Sequence, residues 1–306
     1  MKHLIILYGG FGTLQNAKQQ AMIDGRSTCM YREYAREFGE IIYLTPQKCS
    51  TDWEQSIPDK EKLLEYLTTK PNSLVWSVKH CPEKDEILTK TKNKKIYYSC
   101  CAYNTINQSC NVSLVDTRKR VQGNAVTWFK GKDPNFWYPG STKEYDYVLS
   151  GRRDDKNESY FINRLTKEIK EPRSVLWVAG KHHSDKINKS HHNITLTDFV
   201  PMNNMPNLLS KGKIGVLLSE HPAEGFPQTF LEMTMVGVPV LYLDSAPYNP
   251  HYFGKKNSLI TDKESCVHNA KVMLSQWHVN KPQQCRNFAV DRYSLKKSYQ
   301  GILDSL

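Results

Sequence analysis

Residues 219–244 read SEHPAEGFPQTFLEMTMVGVPVLYLD, and the placement of Pro and Gly in this stretch sets the fold. Residues 214–218 just ahead of it and 238–243 at its end are short apolar runs of the length that buried strands take. The segment between them divides into a loop and a helix. Pro227 suits a first helical turn, where its missing N–H costs nothing. Gly225 lets the backbone come close to a ligand, and Gly237 is placed to end the helix. The pattern predicts a helix over 226–236 with Glu224 at the loop–helix junction. Glu232 follows eight residues later, about two turns down the same helix.

The same alternation of short β-rich runs and longer mixed segments extends through the chain, which argues for an α/β protein with parallel sheets. In the first half, strands are predicted over 4–8, 40–44, 73–78, 95–101 and 112–116, with helices over 27–38 and 59–67. In the second half, strands are predicted over 146–150, 174–178, 194–197, 214–218 and 238–243. Helices are predicted there over 158–169, 226–236 and 264–277. WFKGKDPNFWYPGSTKEYD at 128–146 is rich in Gly, Pro and aromatics, as an ordered connection between domains would be. The expected division is a first domain over 1–140, a second over 141–285, and a closing helical segment over 286–306 that crosses back to the first. Ligands of open α/β sheets bind at the carboxyl ends of the strands.

The bulk properties agree with a globular, two-domain protein. The 306 residues suit two domains, and 39% apolar with 24% charged residues is enough for real cores. The net charge of +11 invites an anionic partner, but it is spread evenly. Residues 1–135 hold 20 basic and 14 acidic side chains, and residues 136–306 hold 22 and 17, so no dedicated basic arm exists. The apolar runs are too short to cross a bilayer, and HLIILYGG near the start resembles a first strand more than a signal peptide. Eight scattered cysteines with no C-x-x-C pair fit reduced thiols and a cytoplasmic location. The pairs His182–His183 and His191–His192 lack a neighbouring cluster with ligand spacing, so no metal site is expected there.

A helix start favours anions, yet a carboxylate at that position suits sugar hydroxyls better than phosphate. One glutamate for a hexose and one for a ribose, with a diphosphate between, forms a coherent nucleotide-sugar site. The plainer alternative is a helix-terminal charge at Glu224 and a solvated helix residue at Glu232. E-G-F-P-x-x-x-L-E over 224–232, followed by G-V-P-V, resembles the motif of retaining glycosyltransferases of family 4. GKDPNFWYP resembles that family's G-x-D-x-x-x-F-x-P connection at Gly131, Asp133 and Pro139, with Phe136 one position early. YVLSGRRDDKN at 147–157 is similar to its first donor-domain strand with a G-R…K phosphate pair. VLWVAGK at 175–181 resembles the next strand with its terminal glycine, and residues 194–219 the segment that holds the base.

The resemblance covers 131–262 and implies a GT-B fold, with two Rossmann-like domains facing a central cleft. It implies that Arg152 and Lys156 neutralise the donor diphosphate, with Arg153 an alternative to Arg152. Glu224 would hold the donor sugar and Glu232 the ribose hydroxyls. Gly225, Phe226, Pro227 and Thr229 would lie near sugar and phosphate, with Gly180 at the end of its strand and Val200 beside the base. In the first domain, Gly10 and Gly12 of the GGFG turn would approach the donor, and His80 would face the acceptor. The resemblance implies a nucleotide-diphosphate sugar as donor substrate, no cofactor and no metal, and a glycan or lipid acceptor. The rival expectations are a nucleic-acid acceptor, a nucleotide-sugar epimerase, and a catalytically silent nucleotide-sugar binder.

Overall fold

The computed structural model describes residues 3–9, 26–46, 49, 51–78, 81–98, 107–115, 123–140, 142–151, 157–188, 191–220, 226–243 and 250–306. They form two compact units, one of Met1–Gly131 with Leu295–Leu306 and one of Lys132–Ser294.

The first unit runs β1 (Leu4–Tyr8), α1 (Arg26–Phe38), β2 (Gly39–Tyr43), β3 (Glu54–Ser56), α2 (Lys60–Thr69), β4 (Leu74–Val78), α3 (Pro82–Thr89), β5 (Lys94–Tyr98), β6 (Val112–Val115) and β7 (Ala125–Thr127). The second contains β8 (Tyr145–Ser150), α4 (Glu158–Glu168), β9 (Ser174–Val178), β10 (Asn193–Leu196), α5 (Met205–Ser210), β11 (Gly212–Leu217), α6 (Gln228–Met235), β12 (Val240–Leu243), β13 (Ser258–Thr261), α7 (Cys266–Ser275) and α8 (Lys281–Tyr293). The last helix, α9 (Leu295–Asp304), belongs to the first unit.

All strand pairs are parallel. The sheet orders are β3-β2-β1-β4-β5-β6-β7 and β10-β9-β8-β11-β12-β13. Both follow the doubly wound 3-2-1-4-5-6 pattern, in which the strand order reverses between the first and fourth strands. The reversal lies at β1 and β4 in the first unit and at β8 and β11 in the second.

Each core follows from sequence. β1, β4, β8 and β9 are apolar runs buried on both faces, as parallel strands require. The first core is aromatic, with Tyr31, Tyr34 and Trp128 set edge-on to Trp76. The last helix joins that core through Tyr299, whose ring stacks on Phe38 at 4.1 Å. It is secured further by Ser298, which donates to the Phe129 carbonyl and accepts from Tyr34.

Several predicted boundaries shift for local reasons. The helix of the decisive stretch begins at Gln228 rather than in front of Pro227, because Pro227 holds extended backbone at the cap position (ψ 124°). At its other end Gly237 has φ +78°, its N–H donates to Thr234, and the Val238 N–H donates to Met233. This is a Schellman stop, and it engages Val238, so the next strand starts at Val240 instead of Val238. The closing segment is two helices, since Ser294 (ψ 154°) breaks the run.

The chain divides after Gly131, because the connection beyond it is fastened inside the second unit. Arg286 donates there to the carbonyls of Pro134, Trp137 and Met235. Cys49, Cys81, Cys110, Cys266 and Cys285 are free thiols. Burial pushes Cys110 and Cys285 up to about 12 and Cys266 up to about 11. No helix among the described residues is long and apolar enough to cross a membrane.

Candidate functional site

The strands at the order reversal of the second unit lead directly into the predicted donor residues. β8 ends at Ser150, and beyond Gly151 follow Arg152, Arg153 and Lys156, outside the described residues. Its neighbour β11 leads to Ser219 and Glu220, and Glu224 and Gly225 follow, again outside the described residues. Asn157 joins the two described flanks. It occupies the left-handed region (φ 56°) before α4 and donates to the Leu218 carbonyl (2.7 Å) and to Glu220 (3.0 Å). Glu220 in turn pairs with Lys263 at 2.7 Å, and hydrogen bonds from Lys263 and Asn157 lower its carboxyl from the usual value.

Gly180 acts through a neighbour. A Cβ added to it would lie 2.4 Å from the Trp177 ring. That indole donates to the Gly151 carbonyl at 2.9 Å and so holds the end of β8, where the basic segment begins. Val200 is half-buried in the connection after β10. Phe226 is an anchor: its ring is buried, stacks on Tyr252 at 3.7 Å and meets Phe230 and Phe253 edge-on. This fixes the amino end of α6 at Pro227, with Thr229 buried in its first turn.

Glu232 is not a solvated helix residue. It is 2% exposed, and its Oε1 accepts from Lys132 Nζ at 3.2 Å. Lys132 itself is fully buried, donates to Gln228 one turn earlier at 3.0 Å, and has its ammonium 5.0 Å from the Trp137 ring centroid. Gln228 and Glu232 share one helical face because they are four residues apart.

In the first unit the order reversal has the same layout. β1 ends at Tyr8, with Gly9 next and Gly10 and Gly12 beyond it, and β4 ends at Val78, ahead of His80. Gly10, Gly12 and His80 lie outside the described residues. Lys84, fully buried in α3, donates to the carbonyls of Val78 (2.7 Å) and Gly9 (3.1 Å), tying both strand ends together.

Lys84, Lys132 and Asn157 were absent from the sequence expectations. No local pattern distinguishes a lysine or asparagine that will donate to distant carbonyls or carboxylates. In the second histidine pair, His191 bonds the Ile169 carbonyl and His192 accepts from the Arg173 N–H. Burial lowers His192 from the usual histidine value. Among the described residues no group of three or more His, Cys, Asp or Glu side chains could hold a metal ion.

Two parallel α/β units of this strand order define the two-domain GT-B architecture. Residues 145–275, within the second unit, match the family model described as Glycosyl transferases group 1. HepE from Anabaena in complex with UDP has a similar fold, with a TM-score of 0.64 and 9% identity over 100% of this chain and 99% of that one. A glycosyltransferase from Rickettsia africae gives 0.67 at 12% identity, covering 99% of this chain and 97% of that one. Sucrose-phosphate synthase from Thermosynechococcus elongatus gives 0.66 at 10% identity, covering 99% and 98%. HepE is also known in complex with UDP-glucose. No curated protein matches the chain in sequence. At such identities the solved structures speak for the fold, and together with the family match they support a glycosyltransferase.

Proposed function

We propose that the chain is a retaining glycosyltransferase of family 4 that moves a sugar from a nucleoside-diphosphate sugar to a glycan or lipid, using neither metal nor cofactor. One observation carries the proposal. The two segments expected to hold the diphosphate and the sugar, 152–156 and 221–225, leave neighbouring parallel strands at the order reversal of the second unit. Ligands of doubly wound sheets bind at that crevice. The match to Glycosyl transferases group 1 spans both segments, and HepE, of similar fold, binds UDP and UDP-glucose.

In this scheme Glu232 takes the ribose hydroxyls and Glu224 the donor sugar. Gly225 and the backbone of Phe226 lie near the sugar, and Val200 meets the base. The bond from the anomeric carbon to the diphosphate oxygen breaks, and a bond to the acceptor hydroxyl oxygen forms on the same face. The hydroxyl proton passes to the departing phosphate. Arg152 (or Arg153) and Lys156 stabilise the charge that grows on the diphosphate, which fixed cations in a dry site do better than water. In the first unit, Gly10 and Gly12 approach the donor and His80 serves the acceptor side.

A panel of nucleotide-sugars incubated with the full chain in EDTA tests the proposal. Slow release of one nucleoside diphosphate is expected, and Lys156→Ala and Glu232→Ala should abolish it. Turnover of no donor would overturn the proposal. Turnover only with added divalent metal would remove the metal-independent part, and transfer to nucleic acid would replace the acceptor class.

A further inference from the structure

Lys132 stands at the position that the pattern G-x-D-x-x-x-F-x-P leaves open, yet its side chain is fully buried and reaches Glu232. A lysine is among the residues least often fully buried, and it is retained inside only when paired. Here it has a carboxylate at 3.2 Å, an amide oxygen at 3.0 Å and an indole face. Gln228 and Glu232 are both on α6, the helix that follows residues 221–225, so a single ammonium fixes two side chains on that helix.

A carboxylate buried to this depth without a cation would take up a proton and lose acceptor strength. Paired with Lys132 it stays ionised and its plane is set. A carboxylate offers about four acceptor positions, enough in number for an ammonium and a diol together. Hydrogen bonds to a charged acceptor are stronger and shorter than neutral ones, which suits discrimination by hydroxyl groups.

We infer that Lys132 is a positioning residue for donor recognition, holding Glu232 ionised and oriented to receive the ribose 2′- and 3′-hydroxyls of a nucleoside diphosphate. The inference rests on the proposed donor site and adds to it a residue of the interdomain connection. Through Lys132, recognition of the ribose depends on a segment whose own motif residues touch no donor group in the proposed scheme.

Binding of UDP, GDP and ADP, each against its 2′,3′-dideoxy counterpart, tests it by calorimetry on the full chain. The wild type should bind at least one diphosphate and prefer it to the dideoxy form by tenfold or more. In Lys132→Met the affinity for the ribose form should fall tenfold or more while the dideoxy affinity stays nearly constant, so the preference collapses toward one. Lys132→Arg should recover part of the preference.

The double variant Lys132→Met/Glu232→Gln removes the buried charge and guards against a folding defect. It should fold as the wild type does and show the same collapsed preference. A folded Lys132→Met protein with wild-type affinity and preference would overturn the inference and leave a purely structural ion pair. So would a double variant that keeps the preference. A wild type that binds a diphosphate without preferring its ribose form would overturn the inference and the ribose role of Glu232, while sparing the diphosphate site. A wild type that binds none of the three would overturn both.

Discussion

Each unit contains a nearly buried glutamate that meets a lysine, and the two are built differently. Glu40, at the amino end of β2, is reached by Lys70 at 2.8 Å and also by Tyr66, Gln55 and His3. Its lysine and histidine are 33% and 47% exposed, so the cluster opens to water. Glu232, in the middle of α6, has a fully buried lysine as its partner, backed by Gln228 and Trp137. A carboxylate with many half-exposed donors is a robust device that loses little when one donor goes. A carboxylate paired inside with a buried ammonium is brittle, because removing either ion leaves the other uncompensated. Brittleness tolerated beside the proposed donor residues is consistent with a role for the pair beyond stability.

The largest effect separating the two sites should come from Lys132→Met. It should lower the stability of the second unit by about 3–5 kcal/mol, read as a fall in urea midpoint, as breaking one side of a buried pair does. Replacing both ions by Lys132→Met and Glu232→Leu should restore most of that loss. A Lys132→Met midpoint equal to wild type would show that the pair is not brittle. Next in size, Gly180→Ala should cost about 1–3 kcal/mol by forcing a methyl into the Trp177 ring. Quenching or a spectral shift of tryptophan fluorescence should accompany it.

Lys70→Met should cost only about 1 kcal/mol or less, since Glu40 retains its other donors and the lysine is partly solvated. A loss as large as that of Lys132→Met would erase the contrast. The smallest effect is the pH response of Glu40. Burial opposes its charge, but hydrogen bonds from Lys70, Tyr66 and His3 outweigh burial and hold the carboxyl below its usual range. A depressed folded value means that its stabilisation is fully present above the ordinary glutamate value. It is lost as pH falls through the lower, folded one. Thermal midpoints on acidification should therefore drop less steeply in Glu40→Gln than in wild type. Equal slopes would remove Glu40 from the account.

Much of this architecture was written in local pattern. The apolar runs of β1, β9 and β11 are continuous, and Gly237 marks the end of α6 where only a left-handed residue closes the turn cheaply. β3 and β7 went unread because three-residue edge strands such as Glu54–Ser56 carry no periodicity. α3 was missed because it is short and begins with a proline. At the candidate site, the motif glutamates could be located along the chain, but the partner of Glu232 could not. Lys132 lies 100 residues away in sequence, and only the fold brings it to α6. Phe226 and Gly180 were expected near the ligand, and the structure shows what their side-chain positions pack against, Tyr252 for one and Trp177 for the other. Both hold the ends of segments from which the proposed donor residues emerge.

The central claim is that the second unit holds a nucleoside-diphosphate sugar at the ends of β8 and β11. Calorimetric titration of UDP, GDP and ADP into the full chain, with and without Lys156→Ala, tests it most directly. One of the three should bind with one-to-one stoichiometry, and Lys156→Ala should weaken it by at least tenfold as the diphosphate loses its ammonium partner. Equal affinity in wild type and Lys156→Ala, or no binding by any of the three, would contradict it.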